Sequence, residues 1–167
     1  MALIIEDGTL TDTDANTYAT LSYVTTYCSN LGLSEWADAA SDTVREAAIL
    51  RAMAYIESKS YKGVKAEADD PLKWPREGVY DEDGYAIEND DIPTNLKKAL
   101  ARASYEEIKS SGILEPRLES GIKREKIDVI ETEYFQSSAL SQTIFQAVDN
   151  YLQGLLKSTI SIPVIRT

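Results

Sequence analysis

The segment KWPREGVYDEDGYAIENDDIPTNLKKAL, residues 73–100, holds most of the side chains that could do chemistry. Its DEDG stretch at 81–84 resembles the start of a calcium loop, in which carboxylates alternate along the chain. A complete EF-hand loop also needs Gly at its sixth position and Glu at its twelfth, and counting from Asp81 these are Ala86 and Ile92. The calcium register therefore fails, and Asp83-Gly84 is more simply a turn in which glycine supplies a positive φ. No metal site is predicted.

A second pair of carboxylates, Asp90 and Asp91, stands directly before Ile92-Pro93. The two could act as a general acid and base. A simpler role is helix capping by Asp91, because the positive end of a helix favours negative charge and proline suits the first helical position. A hydrolase that uses only such carboxylates, with Asp81 and Asp83 added, stays open as an alternative.

Trp74 and Arg76 are the other pair in this segment with two possible roles. They could clamp a partner. They could equally form an internal plug, with the tryptophan in the core and the arginine stem packed on it.

Composition narrows the chemistry further. The 167 residues include no histidine and a single cysteine, Cys28, and the net charge is −11. Without histidine, Ser-His-Asp and Cys-His catalysis and the His-containing metal motifs are excluded. We therefore expect a protein that is not an enzyme and carries no cofactor. No apolar run approaches the roughly 18 residues of a membrane helix, so no membrane partner is expected.

The pattern predicts a mainly α fold in one domain, residues 1–157. It is a small bundle of about four helices with a β-hairpin at about 122–134, a long irregular loop and an extended C-terminal tail at 158–167. The predicted helices span about 20–31, 41–59, 92–110 and 141–157, with a further helical turn around Trp36. Thr20 and Ser41 are the expected N-caps of the first two helices. The loop at 60–91 is unusually long for a compact domain, which suggests that it is functional or held by a partner.

Charge is distributed unevenly along the chain. No lysine or arginine precedes Arg45, whereas basic residues gather after Lys97. Such a chain could stack head to tail with copies of itself, although separate solvated faces would give the same pattern. The basic group Lys123, Arg124 and Lys126 could touch phosphate, but no aromatics are interleaved with it, so an exposed strand or a ring contact fits better.

The tail, TISIPVIRT, alternates apolar and polar residues, and Pro163 prevents a central-strand role. An apolar, β-prone segment is poorly suited to water, so we expect it to add to another protein.

Over residues 2 to about 157 the sequence resembles the head–tail connector (adaptor) proteins of long-tailed bacteriophages. Related sequences carry the label of DnaT-like single-strand DNA-binding proteins. The motifs of the resemblance are ALIIEDGT at 2–9, Asn16, Tyr18, Trp74-Pro75-Arg76, Gly78-Val79, Asp81, Asp83-Gly84, Ile92-Pro93, Leu96-Lys97, Ala99 and Lys123-Arg124-Glu125-Lys126.

The resemblance implies a structural virion protein without chemistry. Its subunits would form a twelve-fold ring that docks on the portal protein, binds the next neck or tail protein (a stopper or tail terminator) and lets double-stranded DNA pass through the lumen. Its location would be the virion, and the host cytoplasm during assembly. Portal binding is expected from the tail, at Ile160, Ser161, Ile162, Pro163, Val164, Ile165 and Arg166. Subunit contacts are expected at Trp74, Arg76, Tyr85, Ile92, Lys123 and Arg124. The alternative function is a single-stranded DNA-binding accessory protein.

Overall fold

A computed structural model describes residues 2–9, 13–114, 124–127, 130–133 and 146–157. These residues form five helices: α1 (Leu21–Asn30), α2 (Ser34–Ala37), α3 (Asp42–Glu57), α4 (Thr94–Lys109) and α5 (Gln146–Leu152). They also form six short strands: β1 (Val64–Lys65), β2 (Arg76–Glu77), β3 (Val79–Tyr80), β4 (Ala86–Ile87), β5 (Arg124–Ile127) and β6 (Ile130–Glu133). The mainly helical fold class is confirmed.

Side-chain caps start the first long helices where the sequence indicates. The Thr20 hydroxyl accepts from the Tyr23 N–H at 3.0 Å, and the Ser41 hydroxyl accepts from the Val44 N–H at 3.4 Å. The predicted cap of α4 is wrong. Its N-cap residue is Pro93, whose carbonyl accepts from the N–H groups of the following turn, and Asp91 makes no capping bond. The helix therefore begins after the proline.

Helix α4 is the centre of the bundle and contacts α1, α2, α3 and α5. Helices α3 and α4 form the most extensive helix contact within the described residues. Both helices bury alanines completely, Ala48 and Ala52 on α3 and Ala99 and Ala103 on α4, and small side chains let helix backbones approach closely. None of the described helices is both long enough and apolar enough to cross a membrane.

The long loop between α3 and α4 contains two short ladders. Strands β1 and β2 pair antiparallel, and so do β3 and β4. Gly63 begins the first ladder with φ of 69°, and a Cβ there would lie 2.1 Å from the Glu77 carbonyl oxygen. Only glycine fits that approach. Backbone pairing within the loop therefore supplies part of its order.

The predicted hairpin exists within the described residues, as β5 paired with β6. The register sets Arg124 opposite Glu133 and Lys126 opposite Glu131. Each base on the first strand therefore stands across from an acid on the second.

The last helix ends earlier than predicted, at Leu152 rather than about residue 157. A turn follows, and the chain then pairs with the start of the long loop. The Lys62 N–H donates to the Leu155 carbonyl at 2.9 Å, and the Lys157 N–H donates to the Ser60 carbonyl at 2.9 Å. This pairing diverts the backbone from the helical path.

Candidate functional site

Trp74 is an internal plug of the long loop. Its side chain is fully buried, and its ring meets the Tyr61 ring edge to face at a centroid distance of 5.8 Å. The Trp74-Pro75 peptide is cis. The structure therefore favours the plug interpretation over the clamp.

Tyr18 and Glu57 hold the backbone that leads into this plug. The Tyr18 hydroxyl donates to the Glu57 carboxylate at 2.5 Å and accepts from the Lys73 and Trp74 N–H groups, each at 3.1 Å. The Lys73 N–H also donates to the second Glu57 oxygen at 3.0 Å. Burial raises the pKa of Tyr18 well above its ordinary value, and the Glu57 carboxylate raises it further. The phenol therefore stays protonated and keeps donating.

Arg76 clamps the two ends of the first ladder together. Its guanidinium donates to the carbonyls of Lys62 at 2.6 Å, Gly63 at 2.8 Å and Lys73 at 3.0 Å. The residue is 8% exposed. Its charge and its donors thus serve the interior of the subunit, because a buried guanidinium needs such acceptors.

Asp81 organises the acidic turn. One of its carboxylate oxygens accepts from the N–H groups of Asp83 at 3.0 Å and Tyr85 at 2.8 Å, and Gly84 follows with φ of 88°. This is an Asx-type turn, so the turn interpretation is confirmed. Within the described ranges, no group of three or more His, Cys, Asp or Glu side chains could hold a metal ion.

The predicted subunit-interface residues fall into three groups. Trp74, Arg76 and Ile92 are buried, so their side chains offer a neighbour almost no surface. Tyr85 is 73% exposed, and Arg124 lies on β5. Lys123 and the tail residues Ile160 to Arg166 lie outside the described residues. The interface role stays a prediction, and Tyr85 alone is shown to be accessible.

An acidic cleft of about 330 Å³ lies between β4, the start of α4 and the turn after α5. Four carboxylates line it, and no lysine or arginine is among the described lining residues. Its apolar lining is Ala86, Ile87, Pro93 and Leu155. The carboxylates are Asp81, Glu82, Glu88 and Asp91, and the remaining lining residues are Thr94, Asn95 and Gly154. We call this surface the acidic cleft.

Sequence reasoning missed two carboxylates that hold backbone groups. One is the half-buried Glu57 beneath the loop. The other is the buried Glu107 on α4, which accepts from the Arg51 side chain at 2.9 Å and from the Gly112 and Leu114 N–H groups at 2.9 and 3.0 Å. Burial raises the pKa of Glu107, but these hydrogen bonds outweigh it and hold the pKa below its ordinary value. The side-chain partners, Tyr18 of Glu57 and Arg51 of Glu107, lie 39 and 56 residues away in the sequence, and the other partners are backbone N–H groups, which every residue except proline carries. Neither kind of partner leaves a sequence pattern.

Comparison with known protein families gives one match. The model of the family described as "Putative DnaT-like ssDNA binding protein" matches residues 1–167. No curated protein and no solved structure gave a significant match.

Proposed function

This chain belongs to the family described as "Putative DnaT-like ssDNA binding protein", and from the resemblance of its motifs to adaptor proteins we propose that it is a structural virion protein, the ring-forming head–tail adaptor of a long-tailed bacteriophage. The observation that supports the proposal is that motif residues of the adaptor resemblance, among them Tyr18, Trp74 and Arg76, lie inside the subunit and fix one long loop. The acidic cleft lies at the surface beside that loop.

The scaffold role extends through the resemblance. The Asn16 side chain accepts from the Ile4 N–H at 3.0 Å and so ties the N-terminal segment to the body. Tyr18 and Arg76 satisfy backbone groups of the loop, while Trp74 and Ile92 fill the core. These hydrogen bonds join groups of the same subunit, and the two apolar side chains are buried in it. An architectural protein, without catalytic residues, metal or cofactor, accounts for them.

The charge of the chain favours a channel through which DNA passes over a protein that binds DNA tightly. The net charge is −11, and carboxylates line the acidic cleft. Phosphate binding is driven by lysine and arginine, so an acidic lumen would repel double-stranded DNA and let it slide. Uneven charge along the chain also suits heterologous contacts, which close into a ring, here of twelve subunits, when the rotation permits.

In this proposal the tail from Ile160 to Arg166 docks on the portal, and the opposite side of the ring meets a stopper or tail terminator. The subunit assembles in the host cytoplasm and ends in the virion.

The experiment mixes the purified chain with the portal protein of the genome that encodes it. Native mass spectrometry and particle images should show rings of the chain on the portal. A variant without residues 159–167 should remain folded by circular dichroism yet fail to dock. A second variant keeps the length of the tail but changes Ile160, Ile162 and Val164 to serine, and it should also fail to dock on the portal protein. Normal docking by either variant would refute the tail assignment, and absence of any complex with the full chain would refute the adaptor.

Single-strand DNA binding is the second candidate, and the family description favours it. It predicts that a labelled 30-nucleotide oligo(dT) gains fluorescence anisotropy with the chain at about 50 mM salt and loses it as salt rises. Because the chain is strongly acidic, we expect no binding. Salt-sensitive micromolar binding would instead favour this function over the adaptor.

A further inference from the structure

We propose that the hairpin β3–β4 and the acidic cleft beside it form a docking surface for an extended, basic segment of another protein, which lies along β4 as an added strand. This surface is separate from the tail, to which the adaptor proposal assigns portal docking. Three features of the described residues support it: the outward face of the hairpin, the open edge of β4 and the charge around both.

The hairpin is apolar on both of its faces. Its register pairs Val79 with Ile87 and Tyr80 with Ala86. The first pair faces the interior, since Val79 is buried and Ile87 packs against the core. The second pair faces outward: Ala86 is exposed, Tyr80 is 57% exposed, and the adjoining Tyr85 is 73% exposed. An antiparallel ladder usually carries polar residues on a face that meets water, so this outward face is suited to being covered by a partner.

The turn between the two strands holds this face in one shape. The Asp81 carboxylate accepts from the N–H groups of Asp83 and Tyr85, and the Asp81 N–H donates to the Tyr85 carbonyl at 2.9 Å. These bonds fix the backbone on both sides of the turn. A surface that is already ordered loses little conformational entropy when a partner binds.

Strand β4 has an open edge. Within the described residues it pairs with β3 alone, and Ala86, Ile87 and Glu88 line the acidic cleft on its side of the hairpin. The N–H and C=O groups of an unpaired edge can accept an added strand. Because β4 has two residues, few main-chain bonds would form, and the side chains of the partner must supply much of the affinity. Alternate side chains of an added strand point to opposite faces, so one set would meet the outward tyrosines and the other the Ile87 side.

The charge of this surface specifies the partner. Residues 77–96 include seven acidic residues and neither lysine nor arginine. Four of these acids line the acidic cleft. Lys62 offsets part of their charge, because its ammonium donates to the carbonyl of Gly154, another lining residue, at 2.7 Å. An excess of negative charge remains, so the segment that complements this surface carries lysine or arginine.

A second copy of this chain complements the surface less well. Its net charge is −11, so a copy adds like charge to an acidic surface. Arg45, Arg51 and Arg102 are already paired with carboxylates of their own subunit, and Arg76 is buried. A nucleic acid would likewise add negative charge. We therefore assign the exposed Tyr85 to a basic protein partner, and a second copy becomes an outcome of the test.

The experiment uses the full-length chain and a fluorescein-labelled probe peptide of about ten residues in which lysine and valine alternate. A second probe has the same composition with its lysines and valines in two blocks, so it keeps the charge and loses the alternation. Fluorescence anisotropy at about 50 mM salt measures both dissociation constants. We expect the alternating peptide to bind at least about threefold more tightly than the block peptide. Equal affinities would show attraction by charge alone and would overturn strand addition.

One pair of variants tests the outward face. Tyr80→Thr removes the aromatic ring and keeps a residue that suits a strand. Leu31→Thr, at the end of α1, removes a large apolar side chain that is similarly exposed, at 52%. We expect Tyr80→Thr to weaken binding of the alternating peptide by about threefold to tenfold and Leu31→Thr to leave it within about twofold. The same affinity for both variants would remove the hairpin face from the site.

A second pair tests the charges. Glu82→Gln with Glu88→Gln removes two carboxylates of the cleft lining, and Glu67→Gln with Asp69→Asn removes two exposed ones outside it on the same loop. The first double variant should weaken binding by about threefold to tenfold, and the second should change it less than about twofold. Equal effects would mean that the peptide responds to net charge and not to the acidic cleft.

Backbone amide shifts locate the peptide. In a ¹⁵N-labelled chain we expect the largest changes within residues 80–88, and a cluster of changes elsewhere contradicts the proposal. Sedimentation without peptide tests for a second copy: a dimer that Tyr80→Thr abolishes would place a copy on this surface and overturn the basic partner. No portal protein is present in these assays, so their failure is distinguishable from failure of the adaptor proposal.

Discussion

Replacing Arg76 by methionine tests whether this residue serves the subunit's interior or a neighbour. Methionine keeps an apolar stem of similar length and removes three donors, which reach the carbonyls of Lys62, Gly63 and Lys73. Hydrogen bonds to a charged group contribute about 1.5–3 kcal/mol each, or about 5–9 kcal/mol if they added fully. Water entry and loop relaxation recover part of that. We expect Arg76→Met to lower the free energy of unfolding by about 3–4 kcal/mol.

The assay is urea denaturation of the free subunit, followed by circular dichroism at 222 nm and by tryptophan fluorescence. A loss of about 3–4 kcal/mol corresponds to a fall in Tm of roughly 6–15 °C for a domain this size. Arg76→Lys should recover only part of the loss, because an ammonium cannot reproduce the planar fork of donors. Lys98→Met, at a half-buried position on α4, is the control and should stay within about 0.5 kcal/mol of wild type.

A loss below about 1 kcal/mol for Arg76→Met would refute the internal-clamp reasoning. Combined with a failure to form rings, that result would return Arg76 to the subunit interface, where sequence reasoning first put it.

Three further predictions concern the same loop and the helix core. Gly63→Ala should lower the free energy of unfolding by more than about 3 kcal/mol, because its Cβ would lie 2.1 Å from a carbonyl oxygen. Gly84→Ala has a positive φ but open space around it, so it should lower the free energy of unfolding by about 1 kcal/mol. Thermal unfolding of the two variants measures the difference. Asp81→Ala should lower the free energy of unfolding by about 1 kcal/mol, because the turn loses two hydrogen bonds. Calcium at about 1 mM, a concentration near the dissociation constant of the weakest extracellular calcium modules, should leave the Tm of wild type unchanged. Glu107→Gln should destabilise at pH 7 and converge on wild type in acid. The reason is that a lowered carboxyl pKa contributes stability above its unfolded value of about 4.3, and this is lost as pH falls through the folded pKa.

Local signals in the sequence predicted local structure well. The Thr20 and Ser41 caps and the Asp81 turn each join groups two to four residues apart, so the residue types alone indicate them. Asp91 shows the limit of that reasoning. It is a good capping residue near a proline, but the chain begins the helix after Pro93 instead.

The scaffold beneath the loop could not be predicted. The Tyr18 hydroxyl meets Glu57, 39 residues away, and the Trp74 N–H, 56 residues away. Neither contact follows a helical or strand period, so no periodicity indicates it. Strands of two residues, such as β1 and β2, are likewise too short for alternation to appear. The loop's length predicted a need for support, and its own subunit supplies much of that support through Arg76.

The pairing of the last described residues with the start of the long loop has a mechanical consequence. Lys157 is bonded to Ser60 and Leu155 to Lys62, while the Lys59 ammonium reaches the Asp149 carboxylate on α5 at 2.9 Å. A force applied to the chain after Lys157 would therefore act on α5 and on the segment that follows α3 together. Because α3 packs on α4, detaching the last described residues would also load the contact between these two helices.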